Sequence, residues 1–145
     1  SLLQTERCLE TNNFQVSSRC LRCNCRVTNQ PDWGDIFLKI VGSQVPSKLS
    51  LLKYIISMRQ ENHFHEEICE HVFKTLSDLL PRSKVLVACL YTRRGGIDIN
   101  PIRINDKSFL NEDSFLNSLL DLKIPFSKTF RQWLSAYIMV NPKQY

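Results

Sequence analysis

The chain has 145 residues, 43% hydrophobic and 23% charged, with a formal net charge of +5. That length supports one domain with a real core, and the composition excludes a disordered chain. The longest apolar runs, such as VLVACLY from Val85 to Tyr91, are far too short to span a bilayer.

The basic residues are scattered, and Arg93-Arg94 is the tightest pair. A solvated surface accounts for them; attraction of an anionic cofactor or nucleic acid is the sharper alternative. Six cysteines would permit a disulfide framework in a secreted protein. No signal peptide is visible before QTERCLETNN, so the expectation is a reducing cytoplasm with most thiols acting as small buried hydrophobes. The sequence opens on Ser1 and reads as a processed product or a fragment of something longer.

In chain order, residues 1–13 are polar and read as a loose arm or short helix. Phe14 to Asn24 reads as a strand, and Asn-Gln-Pro-Asp at 29–32 as a turn. In DIFLKIVG, Ile36, Leu38 and Ile40 alternate with Phe37, Lys39 and Val41, which predicts a strand. VGSQVPS is expected to break it, and Ser47 is a candidate N-cap for a helix through LSLLKYIISMRQ. Leu49, Leu52, Ile56 and Arg59 fall on one face of it, with Leu51 and Ile55 beside them. FHEEICEHVFKTLSDLL predicts a second helix, with Ile68, Val72, Leu76 and Leu79 at helical spacing, ended by Pro81. KVLVACLYTR is a strong strand; Gly95-Gly96 turns, and IDINPIRI alternates as its partner.

The order strand, strand, helix, helix, strand, strand argues for α+β, with two helices on one face of a four-stranded antiparallel sheet. The expected organisation is an arm over 1–13, a module over 14–106 and a helical extension over 107–145. In that extension Asp113 caps a helix through Phe115, Leu119 and Leu122.

Cys25 admits four readings: a packed hydrophobe, a metal ligand, half of a disulfide or a nucleophile. Cys20 and Cys23 form a C-x2-C pair, and HFH at 63–65 offers imidazoles, but no second knuckle completes a structural zinc site. As a nucleophile the thiol needs access, a lowered pKa and an acid nearby. Asp32 follows across a turn and suits proton donation, with Trp33 as apolar cover or as plain core. Glu66 either complements the dipole of the second helix or accepts a ligand's N–H groups, with His65 on the surface or alongside as a proton source. TRRGG at 92–96 is either a basic turn or a phosphate cradle.

Taken together, the cysteine seven residues before the aspartate of QPDWG, the helix ending in S-x-R, then FHE, then YTRRGGIDINP resemble the QueF family over residues 18–104. These are NADPH-dependent reductases of 7-cyano-7-deazaguanine in queuosine biosynthesis. The closer resemblance is to the C-terminal half of the long, two-module type. The resemblance implies the tunnelling fold, in which modules assemble side by side with sites at their interfaces. It implies that Cys25 attacks a nitrile carbon to give a thioimide and that Asp32 donates a proton. It implies that His65 and Glu66 contact the deazaguanine and that Arg94 and Gly95 touch NADPH. Cys20 and Cys23 carry no family role, and no metal is implied.

One departure bears on the cofactor. The family's Glu-Ser-Lys-Ser run before the first helix is replaced here by Ser47, Lys48, Leu49 and Ser50. In the long type that run belongs to the N-terminal module, so a second tunnelling-fold module or a homo-oligomer is the expected partner. Two alternatives stand beside the reductase: an amidine-forming transferase on nitrile-bearing tRNA, and a non-catalytic binding or oligomer-forming module. A zinc hydrolase on the same fold is more distant.

Overall fold

In the computed structural model, which describes residues 2–111 and 139–140, strands β1 (Thr5–Asn24) and β2 (Pro31–Pro46) form a long antiparallel hairpin. Helix α1 (Lys48–Ser57) follows and tightens into a 3-10 turn over Met58–Gln60. Helix α2 (His65–Leu79) leads to β3 (Lys84–Tyr91), then to β4 (Ile102–Ile104). The sheet order is β1-β2-β3-β4-β5, the first four antiparallel. The two-residue β5 (Met139–Val140) pairs parallel with β4.

Ile36, Leu38 and Ile40 of β2 face the two helices, as period-two alternation requires. They pack with Val85 and Val87 of β3 against Leu51 and Ile55 of α1 and Ile68, Val72 and Leu76 of α2. The opposite face carries a second cluster of Leu86, Ala88, Leu90, Ile102, Ile104 and Phe109, with Phe37 and Val41 packed against it. Burial on both faces explains the unbroken apolar run of β3. Two helices on one face of a sheet whose first four strands are antiparallel is the α+β arrangement expected from the sequence; the fifth strand is unexpected and lies in the stretch read as a helical extension. No helix of the described residues is long and apolar enough to cross a membrane.

Several local expectations are corrected. Residues 5–13 are strand, because Thr5, Glu6 and Arg7 pair with Pro46, Val45 and Gln44; a register shift between Arg7 and Asn12 erases the alternation that would have marked it. VGSQVPS does not break β2, which runs to Pro46. The inner face of α1 is Ser50, Leu51, Tyr54 and Ile55, while Leu49, Leu52 and Ile56 are exposed. The helix is apolar nearly all round, so a polar anchor chooses the face: the buried Ser50 hydroxyl accepts from Gln4 N at 3.1 Å, with Gln4 O at 3.2 Å and Ser47 O at 3.0 Å as the acceptors within reach of its one proton. Ser47 caps the helix as expected, accepting from Ser50 N. The partner strand in IDINPIRI begins only after Pro101, which has no N–H to give a ladder.

A 3-10 turn covers Lys107–Asn111. The helix expected over 111–123 lies outside the described residues beyond Asn111.

Candidate active site

Asp32 sits opposite Cys23 in the β1–β2 hairpin, and Cys25 lies two residues beyond Cys23. That parity puts Asp32, Cys23 and Cys25 on one face of the hairpin. Cys25 opens the hairpin loop: its N–H donates to Gln30 O at 2.7 Å, and its carbonyl accepts from Asn29 N at 2.9 Å. Asn29 takes a left-handed φ of 57°, closing this single turn.

The loop before α2 is laced to the same hairpin end. Asn24 N donates to Glu61 O, and His63 N donates to Asn24 O. Asn62 Nδ2 reaches Asn29 Oδ1 at 2.8 Å and Cys25 O at 3.4 Å. These bonds bring the first turn of α2 over the hairpin. Glu67 fixes that end of the helix, its carboxylate accepting from Phe64 N at 2.8 Å.

His65, read as a possible surface residue, is 9% exposed. Its ring stacks on Tyr91 at 3.9 Å between centroids and 8° between planes. Its Nε2 lies 3.1 Å from Asp32 Oδ2, while its buried Nδ1 has no hydrogen-bond partner among the described residues. Asp32 is 3% exposed and accepts from Arg94 Nη1 at 2.5 Å. Arg94 also donates to Gln30. Gly34 lets this layer close: a Cβ there would meet Leu90 O at 3.0 Å and Tyr91 Cδ1 at 3.1 Å.

Cys25, Asp32, His65, Glu66 and Arg94 line one cleft of about 270 Å³, with His63, Phe64, Ile97 and Ile99 completing its walls. Gly95 is not among the lining residues; it sits next to Arg94 in a turn with φ of 57°, with open space around it. Trp33 covers nothing in the cleft. It is 47% exposed on the other side of the strand, with the guanidiniums of Arg22 and Arg59 over its ring at 5.4 and 6.0 Å from the centroid.

The two nearby thiols are opposites. The Cys25 thiol is lowered to about 7, first by a hydrogen bond from the Thr28 hydroxyl and then by the N–H groups of Thr28 and Val27. The Asp32 charge pushes the other way, as like charges must. Cys23 is fully buried against Tyr91, and burial pushes it up to about 11. All six cysteines are free, and no cluster of three metal-ligating side chains exists among the described residues. A thiol acidic at neutral pH, accessible in a cleft beside a histidine-linked carboxylate, is equipped to add to an electrophilic carbon.

Three contributors escaped the sequence reading. Thr28 carried a faint signal, a hydroxyl three residues after the thiol in a turn, the spacing of a cap. Asn62 and Tyr91 carried none, because their roles depend on contacts 33 and 26 positions away with Asn29 and His65.

The profile of the QueF-like protein family matches residues 31–109, over half of the chain. The chain belongs to the QueF-like family. Its sheet with two helices is the tunnelling fold of that family. It is 47% identical over 97 residues to an NADPH-dependent 7-cyano-7-deazaguanine reductase of Psychrobacter arcticus, covering 67% of this chain and 34% of that protein. A protein of the same name from Psychrobacter cryohalolentis is 46% identical over 101 residues, covering 70% and 35%. One from Acinetobacter baumannii is 44% identical over 110 residues, covering 76% and 40%. The chain thus spans between a third and two fifths of the length of these QueF-like relatives.

Proposed function

We propose that this chain is the nitrile-binding module of an NADPH-dependent 7-cyano-7-deazaguanine reductase. The observation that carries this reading is the convergence of Cys25, Asp32, His65, Glu66 and Arg94 on one cleft. Relatives that share nearly half of the aligned residues bear that name.

Cys25 is the nucleophile. Its thiolate adds to the nitrile carbon, forming a C–S bond; one π bond of the nitrile breaks, and the nitrogen takes a proton to give a thioimide. Asp32 is the proton donor. It is a carboxylate while it accepts from Arg94, so once that contact opens it first takes up a proton, from the thiol or by way of His65 Nε2 alongside, and then passes it to the nitrile nitrogen. Glu66, exposed on the first turn of α2, accepts N–H groups from the guanidine-like edge of the base, a charge-assisted contact. His65 holds the ring against the cleft floor.

The cofactor assignment of Arg94 and Gly95 fits less well. Arg94 is committed to Asp32 and Gln30, and Arg93 to Asp98 at 2.7 Å. Ser47 and Ser50, where the family's cofactor signature is expected, act as cap and as anchor to Gln4. These residues alone do not form an NADPH site. The reductive half of the reaction therefore belongs with a second tunnelling-fold module, in a cytoplasmic assembly consistent with six free thiols.

Incubation with 7-cyano-7-deazaguanine under reducing, neutral conditions tests the reading by intact mass. The expected result is one nitrile mass added, retained in Cys20→Ala and lost in Cys25→Ala. No adduct overturns it. Because both arginines of the turn are engaged, the amidine-forming alternative stays in view. Adduct formation with salt-sensitive tRNA binding, and no NADPH oxidation even with the second module, favours that alternative.

A further inference from the structure

We propose that Tyr91 is a positioning residue that sets the plane of the His65 ring, so that Nε2 meets the Asp32 carboxylate. Its consequence for rate rests on the nitrile addition proposed above. Asp32 and Gly34 lie on one face of β2, and Tyr91 of β3 is the register partner of Gly34. Asp32 and Tyr91 are therefore diagonal neighbours on that face, beneath the first turn of α2. His65 opens that helix. The χ2 torsion of a histidine is broad and roughly two-fold, so the helix by itself leaves the ring free to swing. An imidazole is usually oriented by hydrogen bonds at both nitrogens. Here the buried Nδ1 has no partner among the described residues. The stack on Tyr91 takes over that role, with centroids 3.9 Å apart and planes 8° from parallel.

The Tyr91 ring is itself held. It is fully buried, its hydroxyl lies 4.0 Å from Cys23 Sγ, and its Cδ1 sits 3.1 Å from where a Gly34 Cβ would be. Burial pushes its phenol above the ordinary value, so the ring stays an uncharged plate. The carboxylate is held too. Arg94 Nη1 takes Oδ1 at 2.5 Å, which leaves Oδ2 facing His65 Nε2 at 3.1 Å. An ionised carboxylate only accepts, so Nε2 carries the proton between them. Arg94 thus fixes the acceptor and Tyr91 fixes the plane of the donor. What the position requires is a flat ring, and the hydroxyl is secondary. Tyr91 is not among the residues lining the cleft and acts through His65.

The test uses the whole chain, isotope-labelled, and long-range proton–nitrogen NMR correlation of its three histidine rings, each assigned by substitution. Recorded where the rings are neutral, the wild type is expected to show His65 as one fixed tautomer with the proton on Nε2. Tyr91→Leu turns this into an averaging mixture and slows nitrile addition at saturating nitrile about tenfold, while Tyr91→Phe restores both. Tyr91→Met replaces the leucine variant if that variant does not fold, with melting temperature recorded for each. A purely structural role would lower the melting temperature and leave the tautomer in place. In a His65→Ala background, Tyr91→Leu should slow the addition no further. A fixed tautomer in the folded leucine or methionine variant overturns the proposal. So does a phenylalanine variant that behaves as the leucine one, or a further loss of rate in the His65→Ala background. A Tyr91-dependent tautomer without any nitrile adduct supports the positioning role and overturns the reductase reading, so the two failures are separable.

Discussion

Arg94 closes on Asp32 across the cleft, with Nη1 2.5 Å from Oδ1, and so joins the turn after β3 to the start of β2. The carboxylate is almost wholly buried, while the guanidinium keeps 37% of its side chain exposed. A buried charge left without its partner is strongly unfavourable, and a partly exposed arginine can leave only when something else compensates. Arg94→Ala should therefore lower the melting temperature of the free chain. Arg94→Lys should recover little, because one ammonium cannot span Asp32 and Gln30 as the planar fork does. Thermal unfolding by circular dichroism decides this, and an unchanged melting temperature in Arg94→Ala would refute it.

The two thiols make opposite predictions for stability against pH. Cys25 is an acid whose folded pKa is depressed from 9.0 to about 7. Its stabilising contribution is full above 9.0 and is lost as the pH falls through about 7. Cys23 is raised from 9.0 to about 11, so its contribution is full below 9.0 and is lost as the pH rises through about 11. Urea unfolding of the wild type and Cys25→Ala should show the wild type gaining on the variant between these limits of 7 and 9.0. Parallel curves for the two proteins would contradict the assignment.

Gly34 is predicted to be intolerant of even one methyl group. A Cβ would press on Leu90 O and on the Tyr91 ring that carries His65. Gly34→Ala should destabilise the fold by about 1–3 kcal/mol, the usual effect of overpacking. A change below about 0.5 kcal/mol in urea unfolding, within the range of neutral surface substitutions, would show that Tyr91 can move aside.

Glu67 caps α2 through Phe64 N, pairs with Arg26 at 2.9 Å and lies 3.7 Å from His63. Glu67→Ala should lower stability by about 1 kcal/mol, as loss of a cap does. Glu67→Gln keeps an acceptor and should lose only part of that. Equal losses in the two variants would mean that charge, and not capping, is what Glu67 contributes.

What the sequence revealed depended on how local the signal was. Ile36, Leu38 and Ile40 announce β2 by alternation, and Pro81 marks where α2 has ended. The hairpin between Cys25 and Asp32 is legible in Asn-Gln-Pro-Asp, so their proximity could be expected. The orientation of α1 could not, because Leu49 and Leu51 are equally apolar and only the Ser50 to Gln4 bonds decide between them. The strand at Thr5–Asn13 has no pattern of its own and takes its shape from β2. His65 looks like an ordinary helix-start residue until Tyr91 and Asp32 are brought against it by β2–β3 pairing.

The hairpin turn has a consequence for how this protein fails. The acidity of Cys25 comes from Val27 and Thr28, within three residues of it. The carboxylate that shares its cleft, Asp32, is fixed by β2, α2 and the turn after β3 together. Partial loosening of α2 or β3 would separate these two halves, leaving a thiol that still reacts and no group to complete its chemistry. Under the proposed function, such a chain would scavenge alkylating agents where the intact one adds to the nitrile. Raising the urea concentration should abolish nitrile addition before it abolishes the pH-7 alkylation of Cys25, and simultaneous loss of both would show that the turn is no more autonomous than the cleft it faces.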